Sequence, residues 1–212
     1  MKIILFGLLS LIPFTFGNAQ QYEFDRQCVI QSFRIKPKIG DENNWKRSLY
    51  LSTGNSGYYM SKLNDGGYKI TDNERQSVVN IVFVPGSKSE YQTTGGRPID
   101  YSYSEFEIKR TTVSRTDDAH ILVKAFTREN SKRTNLEVNF RLIKSQSPLV
   151  QIRFMDLSPK IHNAVYSALL KGLESPNYRI ERAEVNYRNG YRFVFDFSSC
   201  EATSIKFHLK EN

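Results

Sequence analysis

One helix in a chain otherwise patterned as short strands is the feature that most limits how this sequence can fold. Residues 158–172, SPKIHNAVYSALLKG, carry every local signal a helix needs. Ser158 is a good N-cap and Pro159 falls at the first helical position, where its missing N–H costs nothing. Lys171 complements the dipole in the last turn, and Gly172 follows as the stop. Ile161, Ala164, Val165, Ala168 and Leu169 recur at spacings of three and four and share one face, with Lys160, His162, Asn163 and Ser167 mostly on the other. A helix with one apolar stripe, alone among strands, must bury that stripe against a sheet. A lid over a ligand cavity is the functional alternative, and plain core packing is the favoured reading.

The strand pattern fills most of the remaining chain. Residues 28–36, 47–53, 58–63, 68–71, 78–84, 101–109, 120–126, 135–143 and 149–154 read as strands before the helix, and 180–188, 191–197 and 203–210 after it. Alternation is clearest where Leu136, Val138, Phe140 and Leu142 interleave with Glu137, Asn139 and Arg141, one face inward and one wet. Residues 78–84, VVNIVFV, are nearly all apolar and predict a central strand buried on both sides. Gly54-Asn55-Ser56-Gly57 and Asn64-Asp65-Gly66-Gly67 are turn compositions. Asn189-Gly190 is the strongest hairpin signal in the chain, because a type I′ turn needs two residues tolerant of positive φ. Residues 87–98, SKSEYQTTGGRP, read as an irregular, mobile loop. The expectation is a mainly β protein: a strongly curved antiparallel sheet or β-sandwich of about ten strands, with one helix packed on it.

Residues 1–19 read as a secretory signal peptide. Lys2 gives a positive start, an apolar run follows, and Gly17-Asn18-Ala19 supplies small residues for cleavage. Removing them leaves 20–212 as one β-rich domain of about 190 residues, long enough for a sizeable core. Lys2 is the only charge lost, so the formal net charge of +8 falls to +7. No other run approaches the roughly 20 apolar residues of a transmembrane helix. The expected location is therefore periplasmic or secreted. In an oxidising compartment the two cysteines, Cys28 and Cys200, most simply form one disulfide between the first strand and one of the last two. Two buried thiols are the alternative.

Catalytic signals are scarce. His120, His162 and His208 have no partner at ligand spacing and read as surface residues; two cysteines make no zinc site, so neither metal nor other cofactor is expected. Gly54-Asn55-Ser56-Gly57 is similar to the glycine-framed serine of trypsin-like proteases over four residues, but no histidine precedes Ser56 in the mature chain. The acidic residues at Asp41-Glu42, Asp65, Asp72 to Glu74 and Asp117-Asp118 fall in turns without calcium-loop spacing. The one concentration that invites a ligand flanks Asn189-Gly190. Tyr187, Arg188, Tyr191 and Arg192 could stack on a ring and pair with charge, and Phe193 and Phe195 could line a curved sheet. The competing readings are a solvated hairpin tip and a core aromatic row.

Several stretches together are similar to small secreted β-rich proteins of Bacteroidetes-type bacteria. They are the signal ending Gly17-Asn18-Ala19-Gln20, the Phe24-Asp25 start, and the run from Tyr50-Leu51-Ser52 through Gly57-Tyr58-Tyr59-Met60 to Tyr68-Lys69-Ile70-Thr71-Asp72. That resemblance implies export and no particular chemistry. A curved sheet with a helix is also similar in architecture to the periplasmic lipoprotein carriers, whose half-open barrel holds acyl chains. The resulting expectation is an exported, non-enzymatic binding or interaction protein of the bacterial envelope. Its partner would be an apolar small molecule or an envelope protein, not nucleic acid. A glycan-directed hydrolase and a structural or assembly subunit are the alternatives.

Overall fold

A computed structural model describes residues 20–37, 44–84, 91–100, 106–146, 149 and 158–209. Residues 1–19, which read as a signal peptide, lie outside them. Among the described residues, eleven antiparallel strands form one sheet, curved but not closed. In chain order they are β1 (Gln20–Lys36), β2 (Trp45–Leu51), β3 (Tyr58–Lys62), β4 (Tyr68–Asp72), β5 (Ser77–Phe83), β6 (Tyr91–Pro98), β7 (Arg110–Arg115), β8 (His120–Phe126) and β9 (Leu136–Lys144). The helix α1 (Pro159–Lys171), β10 (Tyr178–Asn186) and β11 (Arg192–Leu209) follow. Across the sheet the order is β6-β5-β4-β3-β2-β1-β11-β10-β9-β8-β7. Two meanders, β1 to β6 and β7 to β11, thus meet where the first strand pairs with the last.

That central pair is the frame. β1 and β11 run antiparallel from Gln20↔Leu209 to Lys36↔Arg192, and Cys28 sits directly opposite Cys200. The two cysteines are joined in a disulfide. Register shifts at Phe24/Arg26 and Val29/Ile30 insert extra residues on β11, and such bulges increase local twist. A pair this long and twisted can show one face to two different cores. Cys28, Ile30, Phe195 and Phe197 enter a core with β2, β8, β9, β10 and the helix stripe. Tyr22, Phe24, Ile205 and Leu209, further along the pair, instead join Tyr50, Met60, Ile70 and Ile81 of the first meander.

The helix forms as its sequence dictates. The Ser158 side chain accepts from the N–H of Ile161, Pro159 starts the helix, and Ile161, Val165, Ala168 and Leu169 are buried. It packs mainly on β7 and β8. Gly172 is not in the left-handed conformation of a typical glycine stop (φ −86°). Its small size matters instead: a Cβ there would lie 2.5 Å from Cγ1 of Val113. His162, expected on the wet face, is instead buried, 1% exposed.

Four expectations about the strands need correction. Residues 77–83 form β5, one place from an edge, and Val82 is 36% exposed, so the apolar run does not make a doubly buried central strand. The segment read as a mobile loop contains β6, an edge strand at Tyr91–Pro98 paired to β5. Backbone pairing there overrides a poor β composition. Of the strand expected at 101–109, residues 106–109 are not in a strand and 101–105 lie outside the described residues, while an unexpected strand, β7, forms at Arg110–Arg115. The two strands expected at 191–197 and 203–210 are one, β11, bulged rather than broken. The strand expected at 149–154 falls almost wholly outside the described residues, as do Asp41 and Glu42.

Candidate functional site

Polar and charged side chains of the described residues converge at one end of the sheet, where the β8–β9 and β10–β11 loops meet. The β10–β11 connection spans Tyr187 to Tyr191 between the paired ends Asn186 and Arg192. It is not the two-residue type I′ turn that Asn-Gly suggested. Arg188 (φ +58°) and Gly190 (φ +101°) take the positive dihedrals, and Asn189 does not. Side-chain carbonyls hold this longer loop: Asn186 Oδ1 accepts from Arg188 N at 3.0 Å and Asn189 Oδ1 from Tyr191 N at 3.1 Å. Tyr187 N donates to Tyr191 O at 3.0 Å. A left-handed arginine costs about 1–3 kcal/mol and persists only where its surroundings over-determine it.

The β8–β9 loop is fastened by Arg110. Its guanidinium lies 3.8 Å from the Phe126 ring centroid, donates from Nε to Glu129 O at 2.7 Å and from Nη2 to Ser131 O at 2.8 Å. Asn135 Oδ1 accepts from Thr127 N and Oγ1, both at 3.1 Å. Both loops are therefore rigid supports, not loose connections.

Two clefts flank the β10–β11 tip. The larger, of about 570 Å³, is lined by Thr127, Arg128, Ser131, Arg133, Thr134, Asn135, Tyr187, Arg188 and Asn189. The smaller, of about 290 Å³, is lined by Lys36, Arg133, Asn186, Arg188, Gly190, Tyr191 and Arg192. Arg133 and Arg188 border both. Together the linings hold five cations and no Asp, Glu, His or Cys. Arg192 Nη2 lies 2.6 Å from Glu184 Oε2, and this bond holds the Glu184 carboxyl below the usual range. Arg188 Nη1 lies 3.8 Å from Glu137. Lys36, Arg128 and Arg133 have no carboxylate partner among the described residues. The local field is strongly positive, and a concave wall concentrates it.

The six residues singled out beforehand divide along the strand. Tyr187 and Arg188 line the larger cleft, and Tyr191 and Arg192 the smaller. Tyr191 is 43% exposed, with the Arg34 guanidinium 4.9 Å from its ring centroid. Phe195 is a core residue and half-buried Phe193 packs against that core, the two rings stacked at 6.3 Å and continued by Trp45 against Phe195. Tyr187 meets Phe193 edge-on at 5.9 Å, so an aromatic chain runs from the core to the cleft wall. Lys36, Arg128 and Arg133 escaped notice in the sequence. The basic run from Arg128 to Arg133 was a usable signal. Lys36 was not, because only the β1–β11 register brings it beside Arg192.

Around His120 the polar groups serve structure. His120 Nδ1 lies 2.8 Å from Asp117 Oδ2, and Asp117 also caps the Ala119 and His120 N–H groups. Among the described residues no three His, Cys, Asp or Glu side chains form a metal-type cluster. No helix there is long and apolar enough to cross a membrane.

Fold and site together define a mainly β protein with one open, curved sheet, a single covering helix and a cationic tip. No family model matches the chain, and no curated protein matches it. Among solved structures it is similar to a LolA superfamily protein of Nitrosomonas europaea, at 9% identity and a TM-score of 0.31, over 89% of this chain and 87% of that one. The chemistry of the site is accordingly read from this chain's own residues.

Proposed function

We propose that this is an exported, non-enzymatic binding protein that takes an acidic carbohydrate at the tip clefts. The carrying observation is the lining itself: five cations, of which Lys36, Arg128 and Arg133 have no carboxylate partner among the described residues, beside Tyr187 and Tyr191 and the amides of Asn135, Asn186 and Asn189. Arginine recognises carboxylate or sulfate in bidentate fashion, amides and hydroxyls suit sugar hydroxyls, and tyrosine faces suit sugar rings. A cleft of this size is in the range of small-ligand sites. Two-carboxylate glycan hydrolysis has no acid or base to use in either cleft. Export is supported by the pairing of Cys28 with Cys200, since disulfides persist in oxidising compartments.

Calorimetric titration with a galacturonic acid tetramer tests the reading, with a neutral maltotetraose as control. Saturable binding of the acidic tetramer alone, weakened at least tenfold in Arg133→Gln/Arg188→Gln, supports it. Equal binding of both sugars, or of neither, removes it.

A second reading places an apolar ligand on the inner face of the curved sheet. It is favoured by one observation: α1 packs mainly on β7 and β8, while Trp45, Tyr187 and Phe193 at the other end of that face stay half-buried. Native mass spectrometry of the mature chain from a bacterial periplasm tests it. A reproducible extra mass of a lipid supports a carrier, and a bare chain argues against one.

A further inference from the structure

The first meander has two unlike faces. One carries Tyr50, Met60, Ile70 and Val79 in a single cross-strand row and is a core. The opposite face is set by the same pairings. One row crosses it as Arg26, Leu51, Tyr59, Thr71, Val78 and Arg97, and the next as Cys28, Leu49, Ser61, Lys69, Asn80 and Gly95. Arg47, opposite Ile30, belongs to the same face. These rows hold four cations and no carboxylate. Arg26 has its own partners, including the Asp25 carbonyl at 3.3 Å. Arg47 lies over the Trp45 ring at 5.0 Å from its centroid, and Lys69 and Arg97 have no ion pair or hydrogen bond among the described residues.

The middle of this face is unfinished in two ways. Ser61, 2% exposed, has a buried Oγ with no hydrogen-bond partner among the described residues. Leaving a buried hydroxyl unmade costs about 1–3 kcal/mol. Lys69, paired directly beside Ser61, is half-buried, and its ammonium is held below the usual lysine range first by that burial, then by Arg47 and Arg97. Like charges gathered without a counter-charge are relieved by an anion. Arg47 and Arg97 flank the row Ser61, Lys69, Asn80 from β2 and β6 and remain exposed.

We propose that this face is a second binding site, for a soluble phosphate-type dianion seated among Arg47, Lys69 and Arg97 with hydrogen bonds from Ser61 and Asn80. Three cations match a dianion better than a single carboxylate, and a tetrahedral oxyanion has enough acceptors for the hydroxyl, amide and guanidinium donors. Burial of the central lysine and serine suits a small free anion, not a headgroup held at a bilayer surface. Arg47→Gln, Lys69→Gln and Arg97→Gln each remove one positive charge and leave a neutral polar side chain.

Amide chemical-shift titration of the mature chain with inorganic phosphate, at constant ionic strength against chloride, tests the site. The expected result is saturable shifts at Ser61, Lys69 and Asn80, absent with chloride, and at least tenfold weaker in Lys69→Gln. Arg97→Gln, on an exposed edge strand where folding is undisturbed, weakens the same shifts at least threefold. Arg133→Gln at the distant tip leaves them unchanged. Non-saturating shifts, shifts equal in chloride, or an affinity unchanged in both Lys69→Gln and Arg97→Gln overturn it. Co-sedimentation with phosphatidylglycerol vesicles in the absence of any shift with phosphate also overturns it.

Discussion

The two cores of this protein are built on one strand pair and solve the burial problem differently. On the side of the second meander, an aliphatic and phenylalanine core is sealed by an amphipathic helix: fully buried Val165 and Leu169 belong to the same core as Val138 and Phe140, and Tyr166 meets the Phe140 ring at 6.4 Å. On the side of the first meander no helix takes part. The core there is Tyr22, Phe24, Tyr50, Met60, Ile70 and Ile81, with Tyr58 and Tyr68 packed against it. Tyr22 and Phe24 meet the Tyr58 ring edge-on at 5.0 and 5.5 Å. Tyr22 OH donates to Asp72 Oδ2 at 3.0 Å, and Asp72 Oδ1 receives the N–H groups of Glu74 and Arg75. The helix-backed core is specified by shape, the other by tyrosines that each need a polar partner or an outlet to water. A hydroxyl-rich core is more sensitive to single hydrogen bonds and to pH.

The largest expected effect breaks the link between the cores. The disulfide closes a loop of 172 residues between positions 28 and 200, so Cys28→Ala/Cys200→Ala loses up to about 5 kcal/mol in the chain-entropy model. Urea melts followed by near-ultraviolet dichroism check it, and the two cores should then lose their coincident transition. Next in size is Leu169→Ala, which removes a fully buried side chain from the helix stripe and costs roughly 2–5 kcal/mol. Helical and tyrosine signals should part in its thermal melt if the cores are separable.

Tyr22→Phe sharpens the contrast from the other side. It leaves buried Asp72 one hydrogen bond short and costs about 1–3 kcal/mol. It also alters the alkaline limb of stability. Burial, and then Asp72, raise the Tyr22 hydroxyl above its ordinary value, burial raises Tyr50, and burial pushes Tyr91 up to about 12. A raised folded-state value means full stability below about pH 10, the unfolded tyrosine value, and loss as pH climbs through the folded values. Unfolding free energy against pH from 8 to 12 should fall less steeply in Tyr22→Phe. The smallest effect on stability is at the tip: Arg133→Gln should stay within about 0.5 kcal/mol of the parent while losing ligand affinity.

The same contrast explains what the sequence revealed. The helix was legible because capping, periodicity and stop signals agreed over fifteen consecutive positions, 158 to 172. Residues 136–142 were legible because one face of β9 is buried and the other wet. The first meander misled. Residues 78–82 look central by composition yet lie next to an edge, since neighbours in a sheet are chosen by the whole meander. Residues 91–98 are poor strand formers held by pairing to β5. Tyr187, Arg188, Tyr191 and Arg192 were found because they cluster in sequence. Lys36 was not, nor the row of Ser61, Lys69 and Asn80, which only register assembles.

The most direct test of the cationic tip as the ligand site is an amide chemical-shift map of residues 20–212 with the galacturonic acid tetramer. Saturable shifts confined to residues 127–135 and 186–192, and lost in Arg133→Gln/Arg188→Gln, are the predicted result. Shifts centred on the helix and the inner sheet face, or none at saturating tetramer, would contradict it.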